Sequence, residues 1–349
     1  MKNHISLFIF AIALLSGPVS ANDLSMTAVK DTLASIPGEH NYIYVRTPLG
    51  EDEEKNYDEI TFYDGLGREL DFAQSYGADR AGAIMAHHHL IEYDSLGRKE
   101  KQWLSTNTSF SYMSPEDLKG GVLWDYHDAG KRSYLQTNYE SSPLNRITEQ
   151  YGVGDAWGDH PARMEYLTNI PADSLRCSFY FIDDNDSLIR RGDYRSGELQ
   201  VTKATDEDGK PTYTFVDKQG RTLLTRLGRG NQQADTYFVF DRFGRIRYVL
   251  PPMINDEISA GNLDLYAYQY LYDSFGRCIS KKLPGCAAIG YVYDKADRVI
   301  LSQNGNQSQK KEWTFTFYDN QGRLALTGLC SFNDPPSLDN SIVRAYRTT

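Results

Sequence analysis

Four cysteines, Cys177, Cys278, Cys286 and Cys330, are all that 349 residues provide. A cross-linked framework of the kind that holds small exported domains is therefore not the main source of stability, and the chain has to bury a core of its own. Cys278 and Cys286 fall on neighbouring predicted strands, where they either bridge a hairpin or serve as small buried apolar groups; spacing alone does not choose between these. Positive charge is also short: 37 Lys and Arg stand against 47 Asp and Glu, a formal net charge of −10. Such a chain repels phosphate backbones, which sets nucleic acid aside as a partner. After Leu15 no apolar run approaches the length needed to span a bilayer, so no transmembrane segment is expected. Zinc-type Cys/His spacing, a phosphate loop ending in Gly-Lys-Ser/Thr and a Gly-x-Ser-x-Gly elbow are all missing, and no cofactor is expected.

What the sequence does contain begins with Lys2, an apolar run from Ile5 to Leu15, and the small-residue stretch Ser16-Gly17-Pro18-Val19-Ser20-Ala21. This is the pattern of a secretory signal peptide, 1–21, with cleavage after Ala21 and a short linker over 22–40. No Cys follows the cleavage point, so a lipid anchor is not expected. Tyr (25) and Gly (28) are plentiful, a composition that suits many short strands joined by turns.

One phrase keeps returning. It reads Tyr63-Asp64-Gly65-Leu66-Gly67-Arg68, Tyr93-Asp94-Ser95-Leu96-Gly97-Arg98 and Val216-Asp217-Lys218-Gln219-Gly220-Arg221 in its first copies. It continues as Phe240-Asp241-Arg242-Phe243-Gly244-Arg245, Tyr272-Asp273-Ser274-Phe275-Gly276-Arg277, Tyr293-Asp294-Lys295-Ala296-Asp297-Arg298 and Tyr318-Asp319-Asn320-Gln321-Gly322-Arg323. Self-similarity of this kind marks a repeat architecture, in which each unit buries its apolar face against its neighbours. The phrase predicts a β-hairpin. An apolar, usually aromatic residue ends one strand, Asp opens a turn by accepting a backbone N–H two residues on, Gly takes the positive φ that a turn with a bulge requires, and Arg opens the return strand. Asp297 replaces Gly in one copy and tolerates the same backbone region. Lone hairpins are marginal in water, so the units must join into a larger, curling antiparallel sheet.

The stretch from Asn107 to Arg176 is less regular. Ser114-Pro115-Glu116-Asp117 predicts a capped helix before Leu118, and Pro143-Leu144-Asn145-Arg146 stands where the turn phrase belongs, with Asn145 in the Gly position. Asp183-Asp184-Asn185-Asp186 reads as a degenerate hairpin turn, since a calcium loop would need a Gly and a terminal Glu that do not follow. His87-His88-His89 would place His87 and His89 on one strand face and His88 on the other; two ligands on one face with no third nearby in sequence do not make a metal site, and a strand segment leading into Leu90 is expected instead. Trp103, Trp124 and Trp157 suit sugar stacking as well as sheet packing. The Asp and Arg of the phrase recur at every hairpin, whereas catalysis needs one convergent site, so they are assigned structural roles and no catalytic residue is expected. The Arg is expected to pair with carboxylates or to stack on Tyr rings.

With its Tyr-Asp pairs and Gly-Arg endings, the chain resembles the YD-repeat, or Rhs, family from Asn41 to Cys330. Tyr63 to Arg68, Tyr93 to Leu104 and Ser142 to Arg146 are similar to the domain of unknown function that opens many exported Rhs-type proteins. The resemblance implies an N-terminal Rhs-associated domain over 41–176, a YD-repeat region over 177–330 and a tail over 331–349. It further implies hairpins wound into a spiralling sheet around a hollow, as in toxin-complex shells and teneurins. By the same resemblance the chain is a non-enzymatic scaffold or partial shell that meets a downstream core or toxin polypeptide, or self-associates through its sheet edges. Nothing after Tyr318 matches the family's core signature or its variable toxin. The alternative is a cell-surface module that recognises glycans or proteins with an aromatic-rich sheet; a hydrolase built on the His triplet ranks last. Export predicts that N-terminal sequencing of the protein recovered outside the cytoplasm begins at Asn22, and an intact Met1 would remove the signal-peptide reading.

Overall fold

The computed structural model describes residues 40–48, 56–78, 84–228, 233–254 and 257–331. The expected signal peptide, almost all of the linker and the tail from 332 lie outside them. Contacts divide the chain into two compact units, 1–164 with 206–209, and 165–205 with 210–349.

The first unit is an antiparallel run. Strands β1 (Asn41–Pro48), β2 (Asn56–Tyr63), β3 (Glu69–Ala78) and β4 (Ile84–Tyr93) pair in sequence. β4 then divides its partners: Met85 to His88 pair with β6 (Thr106–Ser109), and Ile91 to Tyr93 with β5 (Lys99–Trp103). β5 carries on to β7 (Tyr134–Tyr139), β8 (Ile147–Tyr151) and the first residues, Ala162 and Arg163, of β9 (Ala162–Thr168). Alternation puts Ile60 and Phe62 of β2, Ala73 of β3 and Ala86 of β4 on one buried face with Phe110. The expected helix is α1 (Pro115–Asp125), its N-cap Ser114 accepting the Asp117 N–H at 3.1 Å and its buried side chains being Leu118 and Val122.

The second unit is a longer meander. β12 (Gln200–Thr205), β13 (Pro211–Val216), β14 (Thr222–Leu227), β15 (Ala234–Phe240) and β16 (Ile246–Leu250) each pair antiparallel with the next. The series continues through β17 (Tyr268–Tyr272), β18 (Cys278–Lys282), β19 (Ile289–Tyr293), β20 (Val299–Gln303), β21 (Glu312–Tyr318) and β22 (Leu324–Ser331). Short helices α2 (Ala260–Tyr266) and α3 (Gly305–Lys310) occupy links between hairpins.

The Asp-rich segment is a hairpin, as its sequence suggests, but it leaves the meander. β10 (Ser178–Ile182) and β11 (Leu188–Asp193) form a separate two-stranded sheet. Tyr180 of this hairpin packs edge-on against Tyr237 at 4.9 Å, and both join a core with Leu199, Val201, Phe215, Leu224 and Val239. Arg226 fastens the segment that enters it. Only 2% exposed, its guanidinium grips Asp235 from two nitrogens (2.7 and 2.5 Å) and donates to the Ser174 and Arg176 carbonyls (2.9 and 2.8 Å). A buried guanidinium with its donors answered in this way avoids the penalty of an unpaired buried charge.

All four cysteines are free thiols. Cys278 stands at the turn end of β18 opposite Tyr272, while Cys286 lies in the link beyond the other end of that five-residue strand. A strand of that length puts about 13 Å between its ends, well over the span a disulfide bridges. The hairpin disulfide is thereby replaced by the small-apolar alternative for Cys278. Burial pushes the Cys177 thiol up to about 12, whereas Cys286 is exposed. In native protein at pH 8, maleimide labelling followed by peptide mapping should modify Cys286 rapidly and leave Cys177 untouched until the fold is denatured.

Candidate functional site

Each copy of the phrase builds the same turn. In the first, the Gly67 N–H donates to the Asp64 carbonyl (3.0 Å) and the Asp64 N–H to the Arg68 carbonyl (2.9 Å), closing the loop from both sides. Oδ1 of Asp64 accepts the Leu66 and Arg68 N–H groups at 2.8 and 2.9 Å, and Oδ2 takes the Arg68 Nε at 2.7 Å. Gly67 has φ +76°, a region that a Cβ makes costly. Register slips by one residue beside the residue that precedes Asp, so Tyr63 faces Glu69 while Phe62 faces Asp71. Asp94/Arg98, Asp217/Arg221, Asp241/Arg245, Asp273/Arg277, Asp294/Arg298 and Asp319/Arg323 repeat the Asp–Arg bond at 2.7 or 2.8 Å. Asp297, at φ +59°, takes the Gly position as expected.

The turns are also joined to one another. The Arg68 guanidinium lies 4.5 Å from the ring centroid of Tyr93, the aromatic of the next turn, and Arg98 lies 4.7 Å from that of Tyr139. In the second unit Arg221, Arg245, Arg277 and Arg298 stack under Phe240, Tyr272, Tyr293 and Tyr318 at 5.1, 4.9, 5.1 and 4.8 Å. Several tyrosines return a bond: Tyr93 and Tyr139 hydroxyls donate to the Glu69 and Lys99 carbonyls (2.7 and 3.0 Å), and those of Tyr293 and Tyr318 to the Cys278 and Val299 carbonyls (2.8 and 3.1 Å). The acceptor is each time the residue after the previous Arg. Nη1 of Arg98, Arg245 and Arg277 adds a bond to the carbonyl of the next turn's acid, Glu140, Asp273 and Asp294, at 2.9, 3.2 and 3.2 Å. The Gly position serves this contact too, since a Cβ on Gly97 would stand 3.0 Å from Nη1 of Arg68.

The irregular turn at Pro143 obeys the same logic with different residues. Asn145 has φ +55°, and Glu140 stands in for Asp, binding the Arg146 Nε and Nη2 at 2.7 and 2.6 Å. Arg146 and Ser142 hold the Glu140 carboxyl down at about 2. The sequence carried this signal, because Tyr139-Glu140 precedes the Pro by three residues. It also carries a further copy with Lys in the Arg position, Asp206-Glu207-Asp208-Gly209-Lys210, whose Gly209 N–H donates to the Asp206 carbonyl at 3.0 Å with φ +77°. In the Asp-rich turn, Asp183 Oδ1 accepts the Asn185 and Ser187 N–H groups (3.0 and 2.7 Å), and Asp186, at φ +64°, gives its carboxylate to Arg247 with Nη2 at 2.7 Å.

His87, His88 and His89 divide between two faces as strand alternation requires. His88 is 1% exposed, its Nδ1 2.7 Å from Oδ2 of Asp71 and its Nε2 3.0 Å from the Ser109 carbonyl. The pair ties β3, β4 and the end of β6. Burial holds His89 below its ordinary value. The Trp residues do not converge. Trp103 packs on Tyr134 (4.7 Å) with the Lys119 ammonium 5.9 Å from its ring, Trp157 covers Gly152, and Trp124 is 83% exposed on α1. Among the described residues no group of three or more His, Cys, Asp or Glu converges as a metal site, and no helix is long and apolar enough to cross a membrane.

A meander of hairpins whose turns lock through aromatic, Asp, Gly and Arg defines the class: the chain has the Rhs, or YD-repeat, type of fold. Residues 41–168 match a family model described as a domain of unknown function, DUF6443. Among solved structures the chain is similar to TcdB2-TccC3, with a TM-score of 0.54 at 13% identity over 84% of this chain. The TcdB2-TccC3-Cdc42 structure gives a TM-score of 0.55 at 14% identity, again over 84%. This chain spans 14% of the length of those chains. No curated protein matches it in sequence.

The turn chemistry sets two expectations. Arg245→Ala removes both the Asp241 pairing and the Tyr272 stack and should cost about 2 kcal/mol in urea unfolding, while Arg323→Ala, whose side chain is 76% exposed, should cost a small fraction of that. Burial alone raises Asp64, Asp94, Asp217, Asp241, Asp273 and Asp294, but the backbone N–H and guanidinium of the turn Arg outweigh it and hold each below the ordinary carboxylate range. At Asp319 the Arg323 backbone bond is the leading cause. Folding therefore favours the ionised form: the turns contribute fully above about pH 4 and lose that contribution as pH falls through the lowered values. Circular dichroism during acid titration should show cooperative loss of sheet only below that point, and loss beginning near pH 6 would contradict the account.

Proposed function

We propose that this chain is a non-enzymatic scaffold segment of a secreted, toxin-associated Rhs-type assembly, working by enclosing or presenting another polypeptide. The observation that carries the reading is the use made of the repeated polar residues. Each Asp of the phrase answers backbone N–H groups and its own Arg, and each Arg before the last reaches the next turn, so the residues that resemble acid–base pairs serve as sheet fasteners. Catalysis would need a set of groups converging on one reacting atom instead. The fold shared with TcdB2-TccC3 supports a shell-type role, and the partner expected is a polypeptide carrying an Rhs core or toxin.

The alternative, recognition of glycans by the aromatic residues, has less support, because the rings of Tyr134 and Tyr151 already carry the Arg132 guanidinium at 5.4 and 5.0 Å. The deciding experiment isolates the tagged protein from the periplasm or medium of its source bacterium after mild cross-linking. A complex well above the 39.6 kDa of the chain, containing a polypeptide with further aromatic-Asp repeats, is the expected result. An uncomplexed monomer that turns over a substrate or binds a glycan array would replace the proposal.

A further inference from the structure

Arg323 has half of the environment that the ladder gives its other arginines. Its Nε holds Asp319 at 2.7 Å, as in every turn, but among the described residues no ring lies over its guanidinium. Its side chain is 76% exposed, against 30, 25, 19 and 33% for Arg221, Arg245, Arg277 and Arg298. The strand it opens is in the same condition. β22 pairs with β21, and Leu324, Leu326 and Leu329 are 63, 54 and 64% exposed. Interior strands of this meander have a neighbour on both sides.

We propose that the edge of β22, on which no strand other than β21 pairs among the described residues, is a strand-addition site for a second polypeptide, and that Arg323 selects an incoming strand that ends in an aromatic-Asp turn. This rests on the scaffold reading and gives its partner a chemistry. The requirements are those the earlier rungs meet: a ring about 5 Å over the guanidinium, an Asp carbonyl to accept from Nη1 as Asp273 and Asp294 do, and a phenol to donate to the Leu324 carbonyl as Tyr293 and Tyr318 donate to Cys278 and Val299. Main-chain pairing along β22 would supply affinity, and the ring with its Asp would fix register. A second copy does not meet these terms through β1, which ends in Thr47-Pro48 and not in an aromatic-Asp pair.

The test uses the full chain and a fluorescent hairpin of sequence Tyr268–Lys282, with Cys278→Ser and its ends closed by a D-Pro-Gly turn so that the hairpin is preformed. Anisotropy should show saturable binding, weakened about tenfold by Arg323→Ala in the chain and by Tyr272→Ala in the hairpin. Arg323→Lys should fall between, because it keeps the charge and loses the planar fork. Hydrogen exchange should slow in Leu324–Ser331 when the hairpin is bound. Absent binding, equal binding to all variants, or protection confined to other strands would overturn the proposal. The scaffold reading would survive any of these, since the native complex tests it separately.

Discussion

The contact on which the rest of the structure depends is the stack of a turn arginine under the aromatic ring of the following turn. A hairpin pairs its two strands with each other but leaves one face and two edges in need of cover. The Arg does two jobs with one planar group. Its Nε and Nη2 side closes its own turn on Asp, and its flat face and Nη1 reach the next hairpin. Lys has neither the fork nor the plane. Each rung is worth little in water, but the rungs recur along the meander at the tips of the hairpins, where an antiparallel sheet would otherwise fray.

This arrangement explains the substitutions the repeat tolerates. Phe240 replaces Tyr and keeps the stack on Arg221, giving up the hydroxyl bond. Glu140 replaces Asp where the turn is longer, because its extra methylene spans the added residues and still meets Arg146. Asn145, Asp186 and Asp297 take the Gly position with φ of 55, 64 and 59°, a region these short polar side chains tolerate. The acid and the arginine that close each turn stay constant in the seven Asp–Arg copies, with Glu140 and Arg146 filling those places at the longer turn, whereas Lys210 follows Gly209 in the copy at Asp206. Away from the turns, two ionisable pairs stand out for their burial: Arg226 with Asp235 and His88 with Asp71. These hold particular segments in place and do not propagate.

The core is distributed unevenly, and this bears on function. Buried apolar residues of the second unit concentrate in β12 to β16, under the hairpin of β10 and β11, and beyond Ala267 only Leu301 and Trp313 are buried among the described residues. The later strands are held chiefly by their ladder and their turns. The second unit is thus well packed over β12 to β16, while Leu324, Leu326 and Leu329 of β22, the last described strand, are exposed.

The sequence by itself determined the hairpins, because the turn is a five-residue event: Asp, Gly and Arg meet within four positions, and no distant residue is needed to form it. For the same reason Asn145, Asp297 and the Ser114 cap could be read directly. The helix, the antiparallel class and the split of His87 and His89 from His88 follow from local period. Tertiary structure decided everything that joins residues far apart in the chain. That Arg247 claims Asp186 across 61 positions, that Asp71 meets His88 across 17, that the Asp-rich hairpin leaves the meander and packs on it, and that Cys278 stays apart from Cys286 all depend on where the sheet carries each strand. Spacing fixes what a turn can be; only the packed sheet fixes which ring each arginine finds.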